Sequence, residues 1–489
     1  MSDLPINLDD PSLWRSDSYV DGSWTPADSG LRFKVEDPAT GRIIAEVADL
    51  GVGETRRAIS AAAGAFENWR ATSAQDRANC LRRWTDEILR NREDLARILS
   101  AEVGRSMQEA RNEIDYGASF TQWFAEEARR VYGDTIPSPL PDRRFIVLKE
   151  PIGVVAAITP WNAPHSMVAR KCSPALAAGC PVVLKPAEQT PLSALALAVL
   201  AERAGFPKGV INIVTCGDPV PIARTLTDSE IVRLVTFTGS SEVGRNLARE
   251  CAPTLKRLSL ELGGNAPFIL FEDGDVEAAV EGAMQAKFRV IGQNCVGANR
   301  FYIHESLKDR FVSGFKARMA LLRTGPPTDE NAIVGPVIDD AAVAKLTRLV
   351  SDATGKGARV LLGGGVHPAG KCFFAPTLIT EVDNSMAIVH EEIFGPVATI
   401  QSFANEDDVV RAANTTPYGL AAYFYTKDLR RAWRVAERLE AGMVGINVGM
   451  MSSAVAPFGG VKQSGYGREG SKYGIEEFLE LKYVCMGGL

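Results

Sequence analysis

The sequence predicts an α/β protein built around a doubly wound, mostly parallel sheet. Three observations carry that prediction. From residue 153 onward, short apolar runs alternate regularly with helix-length segments. At 489 residues the chain exceeds the size at which one core keeps growing, so at least two domains are expected. Its composition, 46% hydrophobic against 23% charged, is that of an ordinary globular protein.

The elements follow in order. Residues 18–50 are rich in Gly, Pro and Asp and read as short strands between turns. Helical stretches follow near 53–70 and 75–130, the second resting on apolar residues three and four apart in "QDRANCLRRWTDEILRNREDLARILSAEVG". "PSPLPDRR" (137–144) breaks that period and predicts an exposed excursion. Then "GVVAAITP" (153–160), "PVVLKP" (181–186), "GVINIVT" (209–215) and "LVTFTG" (234–239) read as buried strands. Helices over "APHSMVARKCSPALAAG" (163–179) and near 191–204, 218–226 and 241–251 separate and follow them. "KRLSLELGGNAPFIL" (256–270) leads into a second α/β series over 275–450. The closing "EEFLELKYVCMGGL" (476–489) predicts a short helix and an exposed strand whose edge pairs with something, such as a partner subunit.

Composition excludes several function classes. Net charge is -6 with signs mixed throughout and no Lys/Arg run, which argues against nucleic acid or an acidic membrane surface as partner. The opening "MSDLPINLDDPSLW" lacks the basic and apolar regions of a signal peptide, and "ALALAVLA" (194–201) is too short to span a bilayer. Eight cysteines without CxxC pairs suggest reduced thiols and a cytoplasmic location. Four scattered histidines offer no metal-ligand spacing, so no metal is expected.

"RVIGQNCVGANRF" (289–301) holds the first candidate for chemistry, Cys295. Gly292 permits close backbone approach, and Asn294 and Gly297 leave the thiol uncrowded. Read alone, the segment also suits a cysteine that packs and never reacts. "TPWNAP" (159–164) puts Asn162 just past a buried strand, where its amide can donate to an oxyanion or merely cap a Pro-flanked turn. In "VVLKPAEQTP" (182–191), Lys185 and Glu188 stand at a strand end, where a carboxylate can bind ribose hydroxyls or simply be solvated. Gly239 and Gly244 in "FTGSSEVG" mark a strand-to-helix turn suited to phosphate, although the spacing is not GxGxxG. Glu261 in "SLELGGN" is a general base if buried and a surface strand end if not. "EEIFGP" (391–396) offers Glu392 for a sugar hydroxyl and Phe394 to flank a ring; an acidic turn beside a core Phe is the plainer reading.

Taken together, "PWN", "KPAE", "FTGS", "ELGG", "GQNC", "EEIFGP" and "PFGGVKQSGYGREG" resemble the aldehyde dehydrogenase superfamily, in its motif order, from about residue 20 to the C-terminus. The resemblance implies a Rossmann-type cofactor domain (1–128 and 149–258) and an α/β catalytic domain (259–456). It adds a small β projection for oligomerisation (129–148 and 471–489), building a homodimer or homotetramer. It implies that Cys295 attacks the aldehyde, that Asn162 and the Cys295 amide hold the oxyanion, and that Glu261 activates the hydrolytic water. Cofactor contacts would come from Thr159, Pro160, Trp161, Lys185, Glu188, Gly239, Ser240, Gly244, Leu262, Glu392 and Phe394. Glu188 favours NAD, because the 2′-phosphate of NADP meets a like charge there; Lys185 softens this, so NADP is also accepted.

Longer stretches, among them "KFRVIGQNCVGANRFYIHESLKDRF" and "GREGSKYGIEEFLELKYVCMGGL", resemble the succinate-semialdehyde dehydrogenase branch. That likeness implies a small anionic aldehyde, its far end bound by Arg170, Arg289 and Ser452, with Phe458 beside them. For each arginine a structural salt bridge is the alternative, with Arg170, well inside a helix, having the greater claim to it. Gly297 stands where the branch often has a second cysteine, so no disulfide switch forms with Cys295. Ala163 and His165, and Tyr466 in place of a frequent Leu, also depart from its pattern. An enlarged pocket with an extra polar group would then take glutarate semialdehyde or a sulfonated aldehyde such as sulfolactaldehyde. A cofactor-independent cysteine hydrolase would need a histidine beside Cys295, and a noncatalytic relative would not need Cys295, Glu261 and Asn162 together.

Overall fold

The computed structural model describes residues 4–489. Five parallel strands form the centre of an eight-stranded sheet, in the order Arg257–Glu261, Val232–Thr238, Val154–Ile158, Val182–Lys185 and Ile211–Ile213. Their apolar runs are buried on both faces, as parallel strands covered by helices must be. Antiparallel additions close both edges: Gly465–Tyr466 on one side, Ser18–Val20 and then Ser23–Thr25 on the other. A second, seven-stranded sheet runs Arg359–Leu362, Thr377–Thr380, Val397–Phe403, Ala298–His304, Ala266–Leu270, Ala421–Tyr425 and Met443–Ile446. All its pairings are parallel except the first. The chain passes from one sheet to the other across residues 262–265.

The expected helix over 75–130 is three helices: Ala74–Arg90, Arg92–Val103 and Met107–Glu127. Apolar spacing persists through the breaks, so periodicity alone does not reveal them. Asn91 ends the first helix, and Gly104 ends the second in the left-handed region at φ 76°. A side chain at Gly104 would also put its Cβ 2.4 Å from Pro336, so the turn belongs to glycine twice over. Ser106 then starts the third helix by accepting from the Glu109 amide.

The helix Pro164–Ala178 is buried along its whole length and packs against Met107–Glu127. Its two cations, Arg170 and Lys171, therefore lie inside the protein and need internal partners. The excursion and the C-terminal tail meet in a three-stranded antiparallel sheet of Asp134–Ile136, Arg143–Pro151 and Leu479–Gly487. The tail strand thus pairs within its own chain, and its outer edge stays open. Among the described residues, no helix is long and apolar enough to cross a membrane.

Candidate active site

Strand order sets the first half of the site. From Val154–Ile158 the sheet grows one way through Val182–Lys185 and Ile211–Ile213, and the other way through Val232–Thr238 and Arg257–Glu261. This reversal leaves a crevice outside the strand C-termini, where open α/β sheets bind nucleotides. Thr159, Pro160 and Trp161 follow one central strand, Lys185 ends the next and Glu188 follows it, Gly239 and Ser240 follow another, and Leu262 the last. Lys185 is buried and its Nζ lies 2.9 Å from Glu188, which stays partly exposed. Ser240 caps the helix Ser241–Cys251. Gly244, in its first turn, is needed for packing, because a Cβ there would sit 2.5 Å from Leu262. Trp161 and Phe394 meet edge to face at 5.5 Å, both partly exposed. Glu392 accepts from the Gly264 amide at 2.8 Å, and burial pushes its carboxyl up to about 7 against the pull of that amide and of Lys345 and Lys287. A carboxylate for ribose, a helix N-terminus for phosphate and a pair of rings for a flat heterocycle fit a nicotinamide dinucleotide.

Cys295 stands on the other side, between the short turn Arg289–Gly292 and the strand Ala298–His304. Val290, Ile291 and Gly292 are consecutively left-handed, with φ of 54°, 58° and 72°. For a valine and an isoleucine this conformation costs on the order of 1–3 kcal/mol each. The surroundings hold it: Glu109 accepts from the Val290 amide at 2.9 Å, and Gly292 lies against the Gly395 carbonyl. Gly264 packs so tightly on the Cys295 carbonyl that a Cβ would approach it to 2.2 Å. Asn162 bridges the two halves, donating from Nδ2 to the Gln293 carbonyl at 2.9 Å.

Cys295 and Asn162 line one cavity of about 290 Å³ together with Arg170, Arg289, Ser452 and Phe458. The two arginines differ in commitment. Arg170 is buried, lies 2.6 Å from Glu469 and stacks 4.0 Å over the Phe458 ring. Although burial works against its charge, Glu469 holds it above its ordinary value. Arg289 is exposed and makes no ion pair among the described residues. The salt-bridge alternative thus describes Arg170 but not Arg289.

Glu261 is 2% exposed, and neither of its carboxylate oxygens has a hydrogen-bond partner among the described residues. It does not line the Cys295 cavity; its carboxyl lies against Gly459, beside Glu469. Burial and the Glu469 charge raise it well above the carboxylate range, while Arg170 and Lys171 oppose. Glu469 is held ionised despite its burial by Arg170 and by Lys171, whose Nζ lies 2.7 Å away. Burial likewise pushes the Cys295 thiol up to about 12, with Arg170 pulling it down.

Lys171 and Glu469 were not anticipated, though two adjacent cations in an otherwise apolar helix were a legible signal. Arg105, Glu109 and Tyr116 also border the cavity without having been anticipated. One expectation is corrected. His165 adds no polar group to the pocket: it is fully buried against Gly117, both ring nitrogens lack partners among the described residues, and burial pushes its pKa down to about 3. Ala163 does line the cavity, and no histidine does among the described residues.

The aldehyde dehydrogenase family model matches residues 24–484. The chain is 54% identical to a glutarate-semialdehyde dehydrogenase of Pseudomonas aeruginosa, covering 99% of this chain and 100% of the relative. It is also 54% identical to a 3-sulfolactaldehyde dehydrogenase of Pseudomonas putida, covering 99% of each. The NADP(+) succinate-semialdehyde dehydrogenase of Escherichia coli is 51% identical over 99% of this chain and all of its own. A crystal structure of succinate-semialdehyde dehydrogenase from Burkholderia pseudomallei superposes with TM-score 0.97 at 54% identity, covering 98% of this chain and 99% of that one. With the match running through both sheets and the crevice between them, this protein belongs to the aldehyde dehydrogenase family.

Proposed function

We propose that this enzyme oxidises a short aldehyde bearing a distal anionic group, with succinate semialdehyde, giving succinate, as the best-fitting substrate. The carrying observation is the placement of Arg289, which makes no ion pair among the described residues, in the same small cavity as Cys295, Asn162, Arg170 and Ser452. At about 290 Å³ the cavity suits a small substrate. Glutarate semialdehyde and sulfolactaldehyde are the alternatives, favoured by the relatives at 54% identity and by the small Ala163 in the lining.

The chemistry follows from groups on this chain. Cys295, as thiolate, adds to the aldehyde carbon, and the resulting oxyanion is held by the Asn162 amide and the Cys295 N–H. The Asn162 amide has two hydrogens, and the Gln293 carbonyl takes one. When bound, the oxidised dinucleotide supplies a hydride acceptor and a positive charge. Loss of hydride from the adduct carbon leaves a thioester on Cys295. Glu261 takes a proton from water as the water attacks that thioester, releasing the acid and restoring the thiolate. Glu469 and Lys171 lie beside Glu261 and offer the proton a way on.

The test is steady-state kinetics of wild type and Arg289→Ala with succinate semialdehyde, glutarate semialdehyde, sulfolactaldehyde and propanal. A hydrogen bond to a charged group contributes about 1.5–3 kcal/mol, so KM for the anionic aldehydes should rise about 10- to 100-fold, with little change for propanal. A uniform loss on all four would discard the anion-binding role.

We further propose that NAD is preferred and NADP accepted. Glu188 supports the preference by facing a 2′-phosphate with like charge, and Lys185 at 2.9 Å supports the tolerance. Glu188→Ser should raise kcat/KM with NADP about tenfold relative to NAD, an energy of about 1.4 kcal/mol. An unchanged ratio would remove Glu188 from cofactor choice. The open edge of the tail strand supports a homodimer or homotetramer, and eight free cysteines support a cytoplasmic location.

A further inference from the structure

The turn that carries Arg289 is strained and held from outside. Arg289 ends the helix Val276–Phe288 in an extended conformation (φ -59°, ψ 141°), and Val290, Ile291 and Gly292 then run left-handed. Two β-branched residues do not keep themselves in that region, so contacts must hold them there. Ile291 is buried, Gly292 meets the Gly395 carbonyl, and the Val290 carbonyl accepts from the Gln293 amide at 2.8 Å. These contacts fix the later part of the turn. The peptide between Arg289 and Val290, beside which the Arg289 side chain departs, is held separately.

Its N–H and C=O point in opposite directions, and each is gripped. The Val290 N–H donates to Oε1 of Glu109 at 2.9 Å. The Arg289 carbonyl accepts from Nδ2 of Asn294 at 3.1 Å. Glu109 reaches the turn from the helix Met107–Glu127, 181 residues away along the chain, whereas Asn294 immediately precedes the nucleophile. Glu109, Arg289, Val290, Asn294 and Cys295 all line the same cavity. Gly297 leaves the Asn294 amide its room, since a Cβ there would lie 3.4 Å from Nδ2. A carboxylate in a cavity that receives an anion works against binding, so Glu109 needs another reason to be there. The Val290 N–H supplies one.

We propose that Glu109 and Asn294 are positioning residues. By gripping the Arg289–Val290 peptide from both sides they hold Arg289 in the cavity at a fixed span from Cys295, and so set the preference for anionic over neutral aldehydes. This rests on the anionic-aldehyde reading above and names what holds its arginine in place. Both residues act through Arg289, which makes the contact to the substrate.

The experiment measures kcat and KM of wild type, Glu109→Ala, Glu109→Gln and Asn294→Ala with succinate semialdehyde and propanal. Arg289→Ala is run alone and combined with Glu109→Ala. Loss of one such hydrogen bond should lower the acid-to-propanal ratio of kcat/KM about 3- to 10-fold, through KM for the acid rather than kcat. The effect should stay below that of Arg289→Ala. Glutamine keeps an oxygen for the Val290 N–H and drops the charge, so Glu109→Gln should hold the ratio at wild type or above it. With Arg289 already replaced, Glu109→Ala should move the ratio no further. Asn294→Ala keeps the proposal testable where Glu109→Ala fails to fold, because the Asn294 side chain is partly exposed. A loss shared equally by acid and propanal would make the grip merely structural and overturn the proposal. So would Glu109→Gln matching Glu109→Ala, or a full further loss in the double variant. If Arg289→Ala lowers the ratio while Glu109→Ala and Asn294→Ala do not, only the positioning role falls; if Arg289→Ala leaves the ratio unchanged, the anionic-aldehyde reading falls too.

Discussion

Replacing Cys295 with alanine is expected to lower aldehyde-dependent NADH production about 10,000-fold or more, while NAD binding persists. No other thiol can stand in. Six of the remaining seven cysteines are buried, and Cys485 is exposed on the closing strand, on the small sheet apart from the cavity. Cys295 alone is partly accessible and lines the cavity that also holds Asn162. In the free enzyme its thiol is pushed up to about 12 by burial, so it rests protonated at neutral pH. Its alkylation rate should then climb about tenfold per pH unit through the alkaline range, since thiolate is the reactive form. A positive charge brought close should lower that pKa as Arg170 already does, so saturating NAD should speed alkylation at neutral pH. Turnover by Cys295→Ala above about a hundredth of wild type would remove the cysteine from covalent catalysis.

The fold was legible because it is written in local signals. Runs such as "VVAAI" and "VVLK" are apolar without alternation, and only a strand covered on both faces needs that. The helix breaks at Asn91 and Gly104 were not read, because apolar spacing runs on through them and each break depends on one or two residues. Gly104 is needed where it is because Pro336, far along the chain, packs against it.

The candidate site divides the same way. Residues at strand ends and in glycine-rich turns announce themselves locally, which is how Asn162, Glu188, Gly239 and Glu261 came forward. Partnerships across the chain do not. Lys171 and Glu469 are 298 residues apart, and only the fold brings the ammonium and carboxylate together inside the protein. Without Glu469 nothing in the sequence says that Arg170 is already paired, or that Glu261 sits beside another carboxylate. His165 misled for a related reason: it follows the Asn162 turn in sequence, but the helix beginning at Pro164 turns it into the core against Gly117.

Replacing Glu261 with glutamine is expected to separate the two halves of the reaction. In the proposed mechanism, thioester formation needs Cys295 and the oxyanion donors, whereas hydrolysis needs a base. The variant should release about one NADH per subunit in a rapid burst and then turn over about 100- to 10,000-fold more slowly, the usual contribution of a general base. Rapid mixing with excess aldehyde measures both phases. The pH dependence should change with it. Burial and the Glu469 charge hold Glu261 protonated well above the carboxylate range, and a protonated acid cannot take a proton from water. Wild-type turnover should therefore rise with pH as Glu261 ionises, and Glu261→Gln should lack that rise. Stability runs the opposite way. The native state keeps this proton to a higher pH than the unfolded chain does, so Glu261 contributes most at low pH and that contribution is lost as pH climbs through its raised pKa. Glutamine carries no charge to bury, so the variant's Tm should gain on wild type as pH increases. A variant slow in both phases and less stable at alkaline pH would make Glu261 a structural carboxylate. A burst, a missing pH limb and an alkaline gain in Tm together are what a buried base at this position requires.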